Sequence, residues 1–322
     1  MNKPGTEERT STAQSGKNSR RNRLAKASAW VLGVIVLMVV VWPIVLKLAS
    51  YTGPRALEFA QQHQPEQLSE EQFRPPSATH WFGTDVHGRD LFSRVLYGAQ
   101  FSFLVGIVGA GVSLVIGVLW GAIAGYAGER LDGIMMRIVD VLYSMPSIIF
   151  VIVLITTLEE VFKRGLAVLG APGLSNSARL LFLFVGLGAV SWLTMARIVR
   201  GQVLSLKQRP FVEASRALGA GPVRILARHI IPNTVGVIIV YLTLTIPEII
   251  LYESFLSYLG LGIQPPMASW GSLLAEGADQ INPIRTYWWL IVFPGGVLVT
   301  TLLTLNVLGD GLRDALDPKR RD

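Results

Sequence analysis

The chain has 322 residues, of which 51% are hydrophobic and 16% charged, with a net charge of +7 and no cysteine. A soluble domain carries about a quarter charged residues, so this composition places most of the chain in lipid. The missing cysteines exclude disulfides and thiolate metal or redox centres, and the positive charge lies at the flanks of apolar runs, where it sets topology and does not form a nucleic-acid patch.

Residues 1–28 are polar, basic and rich in Ser, Thr and Asn. They cannot bury a core and are expected to be a disordered tail. Six apolar stretches follow, at 29–49, 101–127, 135–157, 180–199, 234–255 and 287–308. Each approaches the roughly 20 residues that a helix needs to cross ~30 Å of hydrocarbon. The reading is an all-α membrane protein of six transmembrane helices. The first run has Trp30 and Trp42 near its ends and the poor cleavage sequence Lys47–Ala49 after it. It is therefore expected to stay as an anchor, not to leave as a signal peptide. With the N-terminus inside, the inner segments hold 20 Lys and Arg and the outer ones 8. This bias puts both termini in the cytoplasm.

The outer segment 50–100 has a polar, proline-bearing middle and reads as a loop. In the second span Gly117, Gly121 and Gly125 recur every fourth residue, on one face. Such a stripe lets another backbone come close. It serves either packing within the chain or a seam with a second chain. Pro146, Pro247 and Pro294 fall within spans 3, 5 and 6 and are expected to kink them. Charges in the spans are few. Asp140 has Arg137 three residues before it, which reads as a local ion pair. Glu248 and Glu253 lie in span 5 and are candidate pathway residues; for Glu253 the alternative is that it holds the turn at 254–262. A carboxylate at a helix centre costs about 2.5–3.5 kcal/mol on insertion scales, so each should face protein or water.

Residues 210–233, between spans 4 and 5, carry the strongest signal. Pro210 suits a first helical turn. Phe211, Ala214, Ala217 and Leu218 fall on one apolar face, with Glu213 and Arg216 on its flank. Gly219 and Gly221 end the helix as C-cap glycines do, and Pro222 opens a second short helix that stops at Ile231-Pro232-Asn233. The residues alone leave two readings open: a shelf for a partner, or a hairpin covering the bundle.

This segment resembles the EAA loop of ABC-transporter permeases, with Glu213-Ala214-Ser215, Gly219 and His229-Ile230-Ile231-Pro232 at the motif positions. Ser215 replaces the third small residue of the pattern. His229 departs from the general pattern in the manner of the peptide-transporter branch. Three more stretches resemble that branch: FGTDVHGRDLFSRVLYGAQFS at 82–102, SYLGLGIQPPMASWGSLL at 257–274 and NVLGDGLRDALDP at 306–318. The chain is similar to the second inner-membrane subunit (C-type) of dipeptide and oligopeptide permeases. The resemblance implies an ABC type-1, MetI-like bundle at 101–310 with a coupling loop at 210–233 and a cytoplasmic tail at 311–322. It implies a homologous second permease, two cytosolic ATPase subunits, an external solute-binding protein and a peptide substrate. It assigns ATPase coupling to Phe211, Glu213, Ala214, Ser215, Ala217, Leu218 and Gly219.

No catalytic residue, cofactor or metal site is expected. The phosphate-loop pattern G-x-x-x-x-G-K-[ST] does not occur, and the single Gly-Lys pair, Gly16-Lys17, is followed by Asn18. The four histidines, His63, His80, His87 and His229, lie outside the spans and show no metal-ligand spacing. This also removes the base or ligands that a serine or metal intramembrane protease requires. The G-x-G-D pattern of an aspartyl protease is broken at Val307. An ion-driven carrier is the other rival, and the internal repeat typical of that class is not evident. Within the favoured class the cargo stays open between peptides and other solutes such as nickel complexes.

Overall fold

The computed structural model describes residues 5–168 and 175–316. Among the described residues every regular element is helical, apart from an isolated bridge between Thr84 and Asp90. The long helices are α1 (Gly5–Thr52), α3 (Leu91–Ala127), α6 (Ser175–Leu206), α9 (Ile231–Tyr258) and α11 (Trp289–Leu316). Shorter ones are α2 (Pro54–Gln62), α4 (Glu129–Ser144), α5 (Ser147–Val168), α7 (Pro210–Ala217), α8 (Pro222–Ile225) and α10 (Trp270–Ala278). Five helices are long and apolar enough to cross a membrane, and six if the bent pair α4–α5 counts as one span. The six expected apolar stretches all fall in helices, the third as the bent pair α4–α5.

Three boundaries depart from the sequence reading. Helix α1 already starts at Gly5, where a disordered tail was expected. Adding a residue to an existing helix is cheap compared with starting one, and Glu7, Glu8, Gln14, Arg20 and Arg21 are good helix formers. Helix α3 starts at Leu91, ten residues before the predicted span, because Asp90 caps it: the Asp90 carboxylate accepts from the Ser93 N–H at 2.9 Å. Span 3 is broken, not kinked. Between Ser144 and Ser147 the chain turns by 96° at Met145-Pro146. Proline disfavours helical backbone in the residue before it, and Met145 is extended. By contrast, α9 and α11 continue through Pro247 and Pro294. The C-terminal stretch 311–322 continues α11 to Leu316, and its remainder lies outside the described residues.

The bundle is organised on the α3–α6 pair. A methyl group added at Gly117 would sit 2.6 Å from Met195 Cβ, and one at Gly125 would sit 2.8 Å from Val203 Cβ. At Gly121 it would strike the main chain at Ala196 and Arg200. Gly188 of α6 does the same in reverse, 2.6 Å from Val112 Cβ of α3. The glycine stripe is therefore an intramolecular seam. Two ion pairs lock α4 onto α6. Arg200 grips Asp132 of α4 with two hydrogen bonds of 2.5 Å. Arg197 bonds Asp140 at 2.7 Å and lies over the Tyr143 ring. Asp140 thus pairs across helices and not with Arg137 as expected, because the α4–α6 contact aims both side chains at one point.

One end of the bundle gathers the basic segments: the beginning of α1, the α3–α4 corner and residues 200–233. Gly311 of α11 approaches Ala25 there, and Lys207 donates to Gly125 O at 2.9 Å, capping the end of α3. The opposite end gathers α2, residues 63–90 and α10. Helix α1 is joined to this end by Trp42, whose ring N–H donates to Ser93 Oγ at 3.0 Å and whose face meets Phe92 and Trp81.

The seam predicts a sharp contrast between neighbouring glycines. Gly121→Ala overpacks against main chain and should cost about 1–3 kcal/mol. Gly111→Ala, where a methyl group meets nothing within 4 Å, should cost nothing measurable. Thermal unfolding of the detergent-solubilised variants tests this; equal midpoints would remove the seam.

Candidate functional site

The basic end carries the segment with the strongest sequence signal. Helix α7 begins with Pro210 in its first turn and ends in a Schellman arrangement. Gly219 N–H donates to Arg216 O and Ala220 N–H to Ser215 O, both at 3.0 Å. Gly219 has φ +82°, a left-handed conformation that strains any residue with a Cβ. The predicted C-cap is therefore present. The second short helix does not stop at Pro232. α8 passes through a π-helical turn, Leu226–Ile230, directly into α9. Pro232 has no N–H to offer the preceding turn, and the wider π turn absorbs that loss, with Ile231 N–H donating to Leu226 O.

This elbow is two-sided. Its inner side is a fully buried cluster: Val212 of α7, Ile225 of α8 and Ile230 pack with Val199 and Val203 of α6. Ser215 Oγ and His229 Nε2 are 3.2 Å apart and join α7 to the π turn. Its outer side is bare. Leu218 is 89% exposed, Val223 79% and Phe211 42%. Glu213, Ala214, Ala217 and Gly219 are exposed beside them, with Ser215 half-buried. The apolar face expected from the helical spacing is thus real, but it points away from the bundle. The residue that anchors α7 is Val212, which the sequence reading passed over.

The two span carboxylates part company. Glu253 is fully buried. Its carboxylate accepts from Ser257 Oγ at 2.6 Å and Ser102 Oγ at 3.1 Å. Ser257 Oγ in turn accepts from Ile263 N–H at 3.0 Å, and Ser102 Oγ lies 3.4 Å from Trp270 N. Glu253 therefore ties α3, α9 and the approach to α10. Through Ser257 it also holds the 254–262 turn, the alternative place named for it in the sequence. Glu248, five residues earlier and on another face, lines a cavity of about 160 Å³ at the α4–α5 break. Tyr252, Ser147, Thr194 and Ser191 share that wall, and Ser147 Oγ lies 3.3 Å from the Tyr252 hydroxyl.

The opposite end holds polar chemistry that only the fold brings together. Arg94 forks onto Glu276 of α10 at 2.5 and 2.9 Å and reaches Asp85 at 2.6 Å. Arg89 bonds the same two carboxylates at 2.7 and 3.2 Å. Bidentate charged contacts of this kind are strong and fix orientation. They join the stretch 82–102 to Glu276 of α10, two residues past the stretch 257–274. Trp270 Nε1 adds a bond to Val95 O at 3.1 Å.

Nearby, His63, His80 and Asp90 are all buried, with potential ligand atoms within 4.8 Å of one another. The three residues are separated in sequence, show no ligand spacing there, and converge only when 63–90 folds back over the start of α3. His80 Nδ1 lies 2.9 Å from Asp90 Oδ1. That hydrogen bond holds the His80 pKa above its ordinary value, against the opposing effect of burial.

Comparison with known proteins agrees with this architecture. The family model described as binding-protein-dependent transport system inner membrane component matches residues 117–322. The dipeptide transport system permease protein DppC of Bacillus subtilis is 43% identical over 310 residues, covering 96% of this chain and 86% of its own. The oligopeptide transport system permease proteins OppC of Bacillus subtilis and Escherichia coli K12 are 41% and 42% identical, covering 94% and 93% of this chain and 88% of theirs. An inward-facing structure of the MetNI methionine ABC transporter overlaps at a TM-score of 0.46 and 22% identity, covering 70% of this chain and 96% of its own; so loose an overlap adds nothing to the assignment. On the family match and these identities, the chain belongs to the family of binding-protein-dependent transport system inner membrane components.

Proposed function

We propose that this chain is a permease subunit of an ATP-driven importer, that its cargo is a di- or oligopeptide delivered by an external binding protein, and that residues 210–233 couple it to the ATPase. The observation that carries the coupling is the two-sided elbow. An apolar face left bare at the end of a bundle is an interaction site, and here the other side is locked into the core by Val212, Ile225 and Ile230. A force applied to the outer side is therefore passed to α6 and α9. Burying one exposed leucine is worth about 1.5–3 kcal/mol, so Leu218, Phe211 and Val223 supply attraction. Glu213 supplies a charge at the rim and Ala214, Ala217 and Gly219 a close approach. Ser215 holds the elbow to His229.

The peptide cargo rests on what the relatives DppC and OppC are named for. The complete assembly would hold a homologous second permease and two ATPase subunits. The excess of Lys and Arg on the elbow's end supports a cytoplasmic position for it and for both termini. ATP-dependent closure of the ATPases would bias the bundle between inward-open and outward-open states, as any ligand with unequal affinity for two states does. Glu248 would line the pathway at the α4–α5 break. The domain limits follow: an anchor at 29–49, an external segment to about residue 90, and the permease bundle to the end of α11.

Uptake of a labelled dipeptide and a labelled hexapeptide, in cells with and without the gene, tests the reading. Glu213→Lys, Gly219→Arg and Leu218→Asp should each lower uptake at least tenfold while the chain still inserts and accumulates. Normal transport by all three would reject the coupling assignment. Unchanged uptake of both peptides on deletion of the gene would reject the cargo and leave the family standing.

The carboxylates give a second test. Glu248→Gln should depress uptake and leave the unfolding midpoint where it was. Glu253→Ala strands buried serine hydroxyls, each worth about 1–3 kcal/mol when unpaired, and should lower the midpoint. The reverse pattern would exchange the two roles.

A further inference from the structure

The end of the bundle opposite the elbow contains a cavity of about 360 Å³. Its walls include Glu58 and Gln62 of α2, Gln67, Glu71, Thr79 and His80. Two of these groups face each other: His80 Nε2 lies 3.6 Å from Glu71 Oε2. That separation is too long for a hydrogen bond. It suits two ligands of one metal ion, since bonds of about 2.0–2.2 Å at a tetrahedral angle put neighbouring ligand atoms about 3.3–3.6 Å apart.

The surroundings of His80 match those of a metal-binding histidine. Its other nitrogen, Nδ1, is 2.9 Å from Asp90 Oδ1. Asp90 is fully buried and is itself fixed by Ser93, whose N–H and hydroxyl donate to Oδ2 at 2.9 and 2.7 Å. A carboxylate on Nδ1 selects the tautomer whose Nε2 lone pair is free, orients the ring and raises its basicity. Behind it, the ring of His63 stacks on His80 at 5.7 Å. Each His63 nitrogen lies 2.9 Å from a main-chain carbonyl oxygen, Phe59 O and Thr79 O, to one of which the ring N–H of the neutral imidazole donates. His63 therefore braces the site and is not a ligand. Asp90, committed to His80 and Ser93, is likewise a support.

We propose that His80 Nε2 and the Glu71 carboxylate, with Glu58 on the same cavity wall, form a binding site for a divalent first-row transition cation such as Zn²⁺ or Ni²⁺. Imidazole with carboxylate favours these ions over Mg²⁺ or Ca²⁺, which take oxygen-only sets. Few protein ligands and an open cavity leave room for water to complete the shell, so the affinity expected is micromolar. A bound ion would join α2, the 63–80 segment and the start of α3. Arg74, 3.4 Å from the other oxygen of Glu71, is exposed and free to swing aside. The proposal does not depend on the cargo or on the ATPase contact.

The test uses the full chain purified in detergent with a histidine-free tag and stripped with chelator. Zn²⁺, and separately Ni²⁺, is titrated against a chromophoric competitor. One equivalent should bind, and Glu71→Gln and His80→Gln should each weaken binding at least about tenfold. His87→Gln, at an exposed histidine, should not change it. Glu71 is half-exposed, so its variant keeps the fold even if His80→Gln does not; elution volume and helicity confirm this. Absence of saturable binding of either ion overturns the proposal. So does binding that survives Glu71→Gln or follows His87→Gln.

Discussion

The close approach of α3 and α6 is the constraint on which the remaining structure depends. Gly117, Gly121 and Gly125 on one helix and Gly188 on the other remove the side chains that would hold the two backbones apart. In lipid there is no hydrophobic drive between apolar helices, so contact area and dispersion decide which pairs form. Once α6 lies flat against α3, its far side is fixed in space. That side carries Arg197 and Arg200, which take hold of Asp140 and Asp132 of α4. Its end carries Val203 and Lys207, which seat the elbow and cap α3. The broken span, the elbow and the bundle thus share one reference element.

The elbow illustrates how a short segment becomes a rigid handle. Eight residues of helix are far below the length that is stable alone in water. α7 persists because Val212 is inserted into the core, because the Schellman bonds at Gly219 close its end and because Ser215 meets His229. The π turn then carries the chain into α9 without a joint. Rigidity on one side and exposed apolar surface on the other are the properties that a force-transmitting contact needs, and neither alone would be informative.

At the other end the chain uses polar chemistry instead. The fork of Arg94 on Glu276 and the caged Glu253 each join segments distant in sequence, and the Asp90–His80 pair ties the 80s loop to the start of α3. Buried charge of this kind is costly unless it is fully partnered, so each group also specifies the register of what it joins. The ring contacts of Trp42 with Phe92 and Trp81, and of Phe82 with Phe293, fill the space between.

The sequence by itself determined the number of spans, the glycine stripe, the C-cap at Gly219 and the face of Phe211, Ala214, Ala217 and Leu218. These are local properties: hydropathy over about 20 residues, a four-residue repeat and one left-handed glycine. Only the tertiary structure decided which way each face points and who pairs with whom. Helical spacing reports that residues share a side, not whether that side meets protein or solvent, so the role of Val212 as anchor stayed hidden. Asp140 had a plausible neighbour in Arg137, yet a helix from elsewhere in the chain supplied Arg197. Glu248 and Glu253 look alike in one apolar run, but five residues are nearly one and a half helical turns. That rotation puts one carboxylate on a cavity wall and the other in a cage of serines. His63, His80 and Asp90 carry no spacing signal because their convergence is a product of chain reversal, which no short window of sequence records.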